Sequence, residues 1–395
     1  MWRSFRVGRT FGIPLELDLS FLLMLPLLAW AVGLQVEAVA ALLNGFWGAG
    51  IGIEGLARSP TRWVLGLAGA LGLFVGVLLH ELGHSLVARR YGHQIESITL
   101  WVLGGIARMS DLPEDWREEL AIAVAGPAVS VIVGIGSFAL FVLTAGLRGT
   151  FAPPTVDGLA FLFGYLAVLN VALAAFNVLP AFPMDGGRIL RAVLARNRSY
   201  VDATSTAARV GKWFAVLFAV FGLVRADVVL IGVAFFVYVA ATSEAQQVAV
   251  RAAFRGVPVR EVMTPAARLR TVTPDTTVGE LPRRMFHERH SGYPVVRAGR
   301  PVGMVTLEDA RGVREVERDA YRVDDVMSEE LVTVGPDEEA VEAFERLQEH
   351  DVGRLLVLDD GELVGLVSRT DLVHAFDVAE STGADLPRGR GPGPS

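Results

Sequence analysis

The pentapeptide His80-Glu81-Leu82-Gly83-His84 puts two imidazoles and a carboxylate within five residues. On a helix, residues four apart share a face, so both histidines point the same way and can bind one Zn²⁺. Glu81 stands beside them, able to take a proton from water activated by such a metal and return it to a leaving amine. Gly83 leaves room for a substrate or another helix to come close. A second polar island, Asn177-Val178-Leu179-Pro180-Ala181-Phe182-Pro183-Met184-Asp185-Gly186-Gly187-Arg188, interrupts a hydrophobic run. Its two prolines break the helix and its two glycines permit a tight turn after the carboxylate. Asp185 completes a set of two histidines and one aspartate with one open position, the arrangement of a catalytic rather than a structural zinc. The chain contains no cysteine, which excludes disulfides, iron–sulfur clusters, thiolate-ligated zinc and a cysteine nucleophile. Two readings stand for Asn177: an amide donor to the scissile carbonyl or its oxyanion, or an interhelical hydrogen bond. For Asn170 the interhelical bond is the preferred reading. The histidines have a bland alternative too, as an interfacial pair reaching for water with Glu81 among the headgroups. Burying three such groups in an apolar run without coordination or a wet cavity is costly, which weighs against it.

These groups must be carried by elements of unusual apolarity. Of 395 residues 52% are hydrophobic and 20% charged, and the mean hydropathy is +0.43. That composition excludes a purely soluble protein. Runs of mostly apolar residues at Leu19–Leu34, Trp63–Val87, Leu120–Leu147, Leu159–Leu179, Trp213–Val224 and Val228–Ala241 predict six membrane crossings, the last two as a hairpin. The first run reads as retained rather than as a removable signal. Residues 37–62 resist assignment, reading either as an interfacial helix or as part of a longer first hairpin. With the N terminus in the cytoplasm, Arg3, Arg6, Arg9, Arg89, Arg90, Arg108, Arg117, Arg188, Arg191, Arg196, Arg198, Arg209 and Lys212 fall inside, and only Arg58, Arg62, Arg148 and Arg225 outside. This asymmetry predicts a multi-pass cell-membrane protein with both termini cytoplasmic.

The two polar islands together resemble the site-2 protease family of intramembrane zinc metalloproteases. Gly12-Ile13-Pro14, Gly104-Gly105 and Ala125-Gly126-Pro127 match as well, and the resemblance spans about residues 1–245. It implies His80, His84 and Asp185 as zinc ligands, Glu81 as catalytic base, and Asn177 as a stabiliser of substrate or intermediate. The β-prone stretch Ile95–Leu103 corresponds to a strand that lies beside the family's active site. It would pair with an unwound substrate, or it is a surface hairpin with no such role. Residues from Met109 to Glu119 read as a loop or amphipathic stretch.

Beyond about residue 255 the pattern turns to short strands and amphipathic helices with an internal repeat. Thr271-Val-Thr-Pro274 recurs as Thr333-Val-Gly-Pro336, Gly303–Asp309 as Gly365–Asp371, and Val262-Met263-Thr264 as Val326-Met327-Ser328. The repeat resembles a tandem pair of CBS domains, over residues 257–318 and 322–378. The expected fold is therefore a polytopic α-helical membrane protein with small membrane-associated β elements and a cytoplasmic α/β module. Such pairs commonly bind adenine nucleotides or dimerise. The matching positions are Thr306, Asp309, Ser368 and Asp371, whose alternative role is helix capping. Residues 256–380 carry 15 basic and 26 acidic side chains, which argues against nucleic-acid binding. Residues 381–395 are expected to be disordered.

The resemblance implies an endopeptidase that cuts in or near the transmembrane segments of regulatory membrane proteins, for example an anti-sigma-type regulator, with one zinc per chain. A CBS-regulated transporter or channel is the competing class, and an inactive scaffold the third. Neither accounts for the four polar groups together.

Overall fold

The computed structural model describes residues 4–102, 104–109, 113, 115–147 and 152–382. It divides into two compact units, Met1–Ala245 and Gln246–Ser395. Among the described residues, six helices are long and apolar enough to cross a membrane.

The first unit opens on a hairpin of strands β1 (Ser4–Thr10) and β2 (Ile13–Asp18). Asp18 then caps helix α1 (Leu19–Trp47), accepting from the Ser20 amide at 2.8 Å. Helix α1 runs thirteen residues past the predicted end of the first span, because Val36, Ala40 and Leu43 continue its buried stripe while Gln35 and Glu37 face outward. It stops at Gly48, whose left-handed φ of 59° closes the turn. The Asn44 side chain then bonds both the amide and the carbonyl of Ile51, at 2.8 and 3.0 Å, leading into the short helix α2 (Ile53–Ala57). The unassigned residues 37–62 are thus mostly helix.

Helix α3 (Thr61–Arg90) packs against α1 at Gly66 and Gly33, small residues that let the two backbones approach. Strands β3 (Ile95–Trp101) and β4 (Gly104–Met109) follow. The four strands form one sheet in the order β1-β2-β3-β4, with β2 and β3 parallel (Leu15 opposite Ile98) and the other pairs antiparallel. The expected strand at 95–103 is β3, and Leu103 lies outside the described residues. It is an inner strand, and β4 forms one of the two sheet edges, so Met109 ends a strand instead of opening a loop. Residues 110–112 and 114 of that expected loop are likewise outside the described set, as are Arg3 and Arg148 of the charge count.

Four helices complete the unit: α4 (Trp116–Gly146), α5 (Pro153–Asn177), α6 (Asp185–Ala195) and α7 (Tyr200–Arg225). An eighth, α8 (Val228–Phe254), contains the boundary between the units. The last two are much longer than the apolar runs that announce them, because their polar turns stay helical outside any hydrophobic window.

The second unit contains α9 (Val259–Val262), β5 (Thr264–Pro265), α10 (Glu280–Glu288), β6 (Gly292–Arg297), β7 (Arg300–Thr306) and α11 (Leu307–Gly312). The elements repeat as β8 (Thr333–Val334), α12 (Ala340–Glu349), β9 (Arg354–Asp359), β10 (Glu362–Ser368) and α13 (Arg369–Thr382). Each copy exchanges its opening segment with the other. Thr264 pairs with Leu366 of the second hairpin, and Ser328 bridges to Met304 of the first. The cores follow the exchange: Val259 packs with Leu347, Leu355 and Val367, whereas Val323 packs with Leu281, Tyr293 and Val305. The two copies in sequence are therefore not the two packed halves in space. Helix α13 runs two residues into the tail expected to be disordered, and residues 383–395 lie outside the described set.

Leu347 is fully buried in the core of the second half, whereas Phe286 is 82% exposed on α10. Leu347→Ala is expected to destabilise this unit by about 2–5 kcal/mol, and Phe286→Ala by less than about 0.5 kcal/mol. Hydrogen exchange of the β9 and β10 amides reads the difference.

Candidate metal centre

Helix α3 carries His80, Glu81 and His84 as a continuous turn, while Asp185 is the first residue of α6. The structure brings the two histidines and the aspartate together. His80 Nε2 lies 3.0 Å from Asp185 Oδ2, and His84 Nε2 lies 3.2 Å from both that oxygen and His80 Nε2. All three side chains are buried, at 4%, 7% and 8% exposure, and among the described residues they are the one His/Asp/Glu group that converges in this way.

Helix α4 fixes both imidazoles from behind. His84 Nδ1 donates to the Ile122 carbonyl at 2.6 Å, and His80 Nδ1 is 2.9 Å from Ser130 Oγ. A ring that donates from Nδ1 keeps its Nε2 lone pair free for a metal. With Ser130 accepting likewise, two lone pairs and a carboxylate oxygen face one another at about 3 Å, a donor set that a cation between its members would satisfy. Four ligands around zinc at about 2.0–2.1 Å stand roughly 3.3 Å apart along a tetrahedron edge, close to the observed spacings. The donor set is nitrogen and oxygen only, so the residues present fit zinc.

Glycines make this approach possible. A Cβ on Gly126 would overlap His84 Nε2 and come within 2.8 Å of His80 Nε2, and one on Gly83 would sit 2.9 Å from the Ala125 carbonyl oxygen. The room left by Gly83 is therefore occupied by α4. Ile122, Gly126 and Ser130 recur every fourth residue, so one stripe of α4 faces the site. Sequence reasoning missed the roles of Ile122 and Ser130. The signal was present in the four-residue spacing centred on Ala125-Gly126-Pro127.

The loop before α6 folds so closely over the first turn of that helix that side chains at Gly186 and Gly187 are excluded. A Cβ on Gly186 would collide with the Val178 and Leu179 carbonyls, and one on Gly187 would lie 2.8 Å from Ala181 and Phe182 backbone atoms. The Ala181 and Met184 amides donate to the Leu179 and Ala181 carbonyls at 2.7 and 3.0 Å. Those bonds give the broken backbone the internal satisfaction it needs at membrane depth.

Glu81 is half-buried, and its side chain lies where a Cβ on Gly105 of the edge strand β4 would be. Asn177 ends α5 half-buried, with its amide nitrogen donating to the Leu173 carbonyl at 2.9 Å. Among the described hydrogen bonds none joins it to the three ligand atoms. Asn170 departs from expectation: it is buried against Gly76, and its amide nitrogen bonds the Leu166 carbonyl of its own helix instead of a neighbouring one.

In the second unit, Thr306 and Asp309 form a capping box on α11, with Asp309 Oδ2 accepting from the Thr306 amide and hydroxyl at 2.7 Å. Asp371 Oδ2 accepts from the Ser368 amide and hydroxyl at 2.9 and 2.6 Å. All four residues therefore act as helix caps. Between the copies, Arg354 of β9 donates to the Ser291 hydroxyl. Burial pulls the Arg354 guanidinium below the usual arginine value, opposed by the Asp371 carboxylate.

Gly126→Ala is expected to abolish or weaken zinc retention at least tenfold while leaving α4 helical, because alanine favours helix but its methyl occupies the space between the imidazoles. Metal analysis of the purified variant checks this. Wild-type zinc content would contradict the packing described.

The family model for peptidase family M50 matches residues 68–155 and 150–218, and the CBS domain model matches residues 259–315 and 323–378. A zinc metalloprotease of Methanocaldococcus jannaschii is 35% identical over 377 residues, 95% of this chain and 97% of that protein. The protein Rip3 of Mycobacterium tuberculosis is 32% identical over 94% of this chain and 92% of its own length. Among solved structures, the site-2 protease from Methanocaldococcus jannaschii is 36% identical and covers 62% of this chain and 95% of its own, with a TM-score of 0.40. The chain belongs to the M50 family of zinc metalloproteases and carries a pair of CBS domains.

Proposed function

We propose that this chain hydrolyses peptide bonds in or near the transmembrane segments of regulatory membrane proteins, using His80, His84 and Asp185 to hold one zinc ion and Glu81 as base. The observation that carries this reading is the buried triangle of ligand atoms with Glu81 on the same turn of a helix long and apolar enough to span a bilayer. Bound zinc supplies Lewis acidity, polarising the scissile carbonyl and bringing water into the range where it is a nucleophile near neutral pH.

The protein groups perform the rest. Glu81 takes a proton from the attacking water and delivers it to the leaving amide nitrogen, so that the C–N bond breaks as the amine forms. Asn177 lies at the mouth of the Asp185 loop, and its amide would turn from Leu173 to the substrate carbonyl. A substrate helix must unwind before its carbonyl can be reached. Strand β4 is one of the two sheet edges and touches Glu81 through Gly105. An extended substrate added along β4 would regain its backbone hydrogen bonds beside the base.

The partner that the family resemblance implies for this chemistry is a membrane-spanning protein, for example an anti-sigma-type regulator, cut within the bilayer. The excess of arginine in the loops assigned to the inside supports cytoplasmic placement of the N terminus and the CBS pair. The pair would bind an adenine nucleotide, with Asp309 and Asp371 toward the ribose, Thr306 and Ser368 toward the phosphates, and Arg354 between the copies, or serve as a homodimer surface. A transporter or channel would leave the metal triangle without a purpose, and a scaffold would not need Glu81.

Glu81→Gln is expected to retain zinc and to lose cleavage of a model membrane substrate by at least about 10³-fold. Comparing membrane-protein fragments from cells expressing each form would identify the substrate as the full-length species that accumulates. Undiminished proteolysis by Glu81→Gln would overturn the mechanism.

A further inference from the structure

Arg191 lies six residues along the α6 helix that Asp185 begins. It is only 2% exposed. Its Nε donates to Glu119 Oε1 at 2.7 Å, and its Nη2 approaches the same oxygen at 2.5 Å. Glu119, itself 3% exposed, sits in the first turn of α4, three residues before the Ile122 carbonyl that accepts from His84. The guanidinium also covers the ring of Phe182, 5.1 Å from its centroid, in the loop leading to Asp185. Its remaining arm reaches Glu244 of α8 at 2.6 Å, a carboxylate with 31% of its side chain exposed.

One buried ion pair therefore joins the helix that supplies a ligand to the turn that orients another. A buried charge left without its partner is costly, so the pair admits little sliding of α6 along α4. Two nitrogens of the planar guanidinium converge on the one oxygen Glu119 Oε1, which fixes direction as well as distance, as a point charge does not. Taking the reading of His80, His84 and Asp185 as the metal site as given, we propose that Arg191 and Glu119 are positioning residues of that site. Their pair holds the Asp185 helix in register with the α4 turn that fixes His84. The Glu244 contact is a partly wet extension that ties α8 to the same guanidinium and contributes little to the register.

The test uses the full chain in detergent or lipid discs and follows three quantities: zinc affinity by chelator competition, the visible absorption of the Co²⁺-substituted protein, and thermal unfolding. Arg191→Met and Glu119→Gln are expected to weaken zinc binding about 10- to 100-fold, the usual cost of losing a group that orients a ligand. The Co²⁺ bands are expected to shift in protein that is still folded. Arg191→Lys recovers part of the affinity, and Glu244→Gln changes it by less than about threefold. Should Arg191→Met fail to fold, the near-isosteric Glu119→Gln decides alone. Folded Glu119→Gln with wild-type zinc affinity and unchanged Co²⁺ bands would overturn the proposal and leave the pair a lock of the fold only. Equal losses in Glu244→Gln and Glu119→Gln would also overturn it. Zinc binding that survives His80→Ala in the otherwise wild-type chain would instead overturn the metal-site reading beneath it, and the proposal with it.

Discussion

Two imidazole nitrogens and one carboxylate oxygen lie within 3.2 Å of one another inside a bundle whose helices otherwise present apolar side chains. Groups with free lone pairs do not settle at that spacing in a low-dielectric interior unless something holds them there and a cation compensates them. Much of the first unit can be read as the answer to that constraint. Helix α3 sets two ligands on one face, the proline-broken loop brings the third to the start of α6, and α4 stands behind the histidines with a carbonyl and a hydroxyl.

Close approach is the condition for all of this. Gly83 and Gly126 face across the α3–α4 contact, and Gly186 and Gly187 let the ligand loop fold against its own carbonyls. Each trades helix propensity for proximity, a trade that is favourable where lipid offers no hydrophobic reason for helices to associate. The sheet extends the same logic to the base. An edge strand touches Glu81 through Gly105, so the backbone at one border of the sheet lies next to the residue that would move protons.

The convergence of His80, His84 and Asp185 was legible in the sequence because helical spacing and the Pro/Gly break are strong local signals, and because burying His, Glu and Asp in apolar runs requires a reason. What holds the ligands was not legible. A backbone carbonyl at Ile122 has no signature in residue type, and Ser130 looks like any small polar residue of a membrane helix. Arg191 reads as one more positive charge in an inside loop, whereas it is buried with Glu119. In the β1–β2 hairpin, Leu15 and Leu17 of β2 alternate with polar residues, while the register of β1 shifts between Arg6 and Gly8 and breaks its alternation. Helix lengths were underestimated because hydropathy reports the part of a helix suited to lipid and not where its hydrogen bonds end. In the second unit the repeat revealed two equivalent copies, but equivalence says nothing of partners, and Thr264 and Ser328 each pair outside their own copy.

The central claim is that the buried triangle is a zinc site built from these three side chains. X-ray absorption at the zinc edge of the purified full-length chain tests it most directly. One zinc per chain is predicted, in a four-coordinate nitrogen and oxygen shell at about 2.0–2.1 Å, with the outer-shell scattering of two imidazoles beyond it. One imidazole is also predicted to be lost from that shell in His84→Asn. A zinc shell without imidazole scattering, or one that His84→Asn leaves unaltered, would contradict the claim.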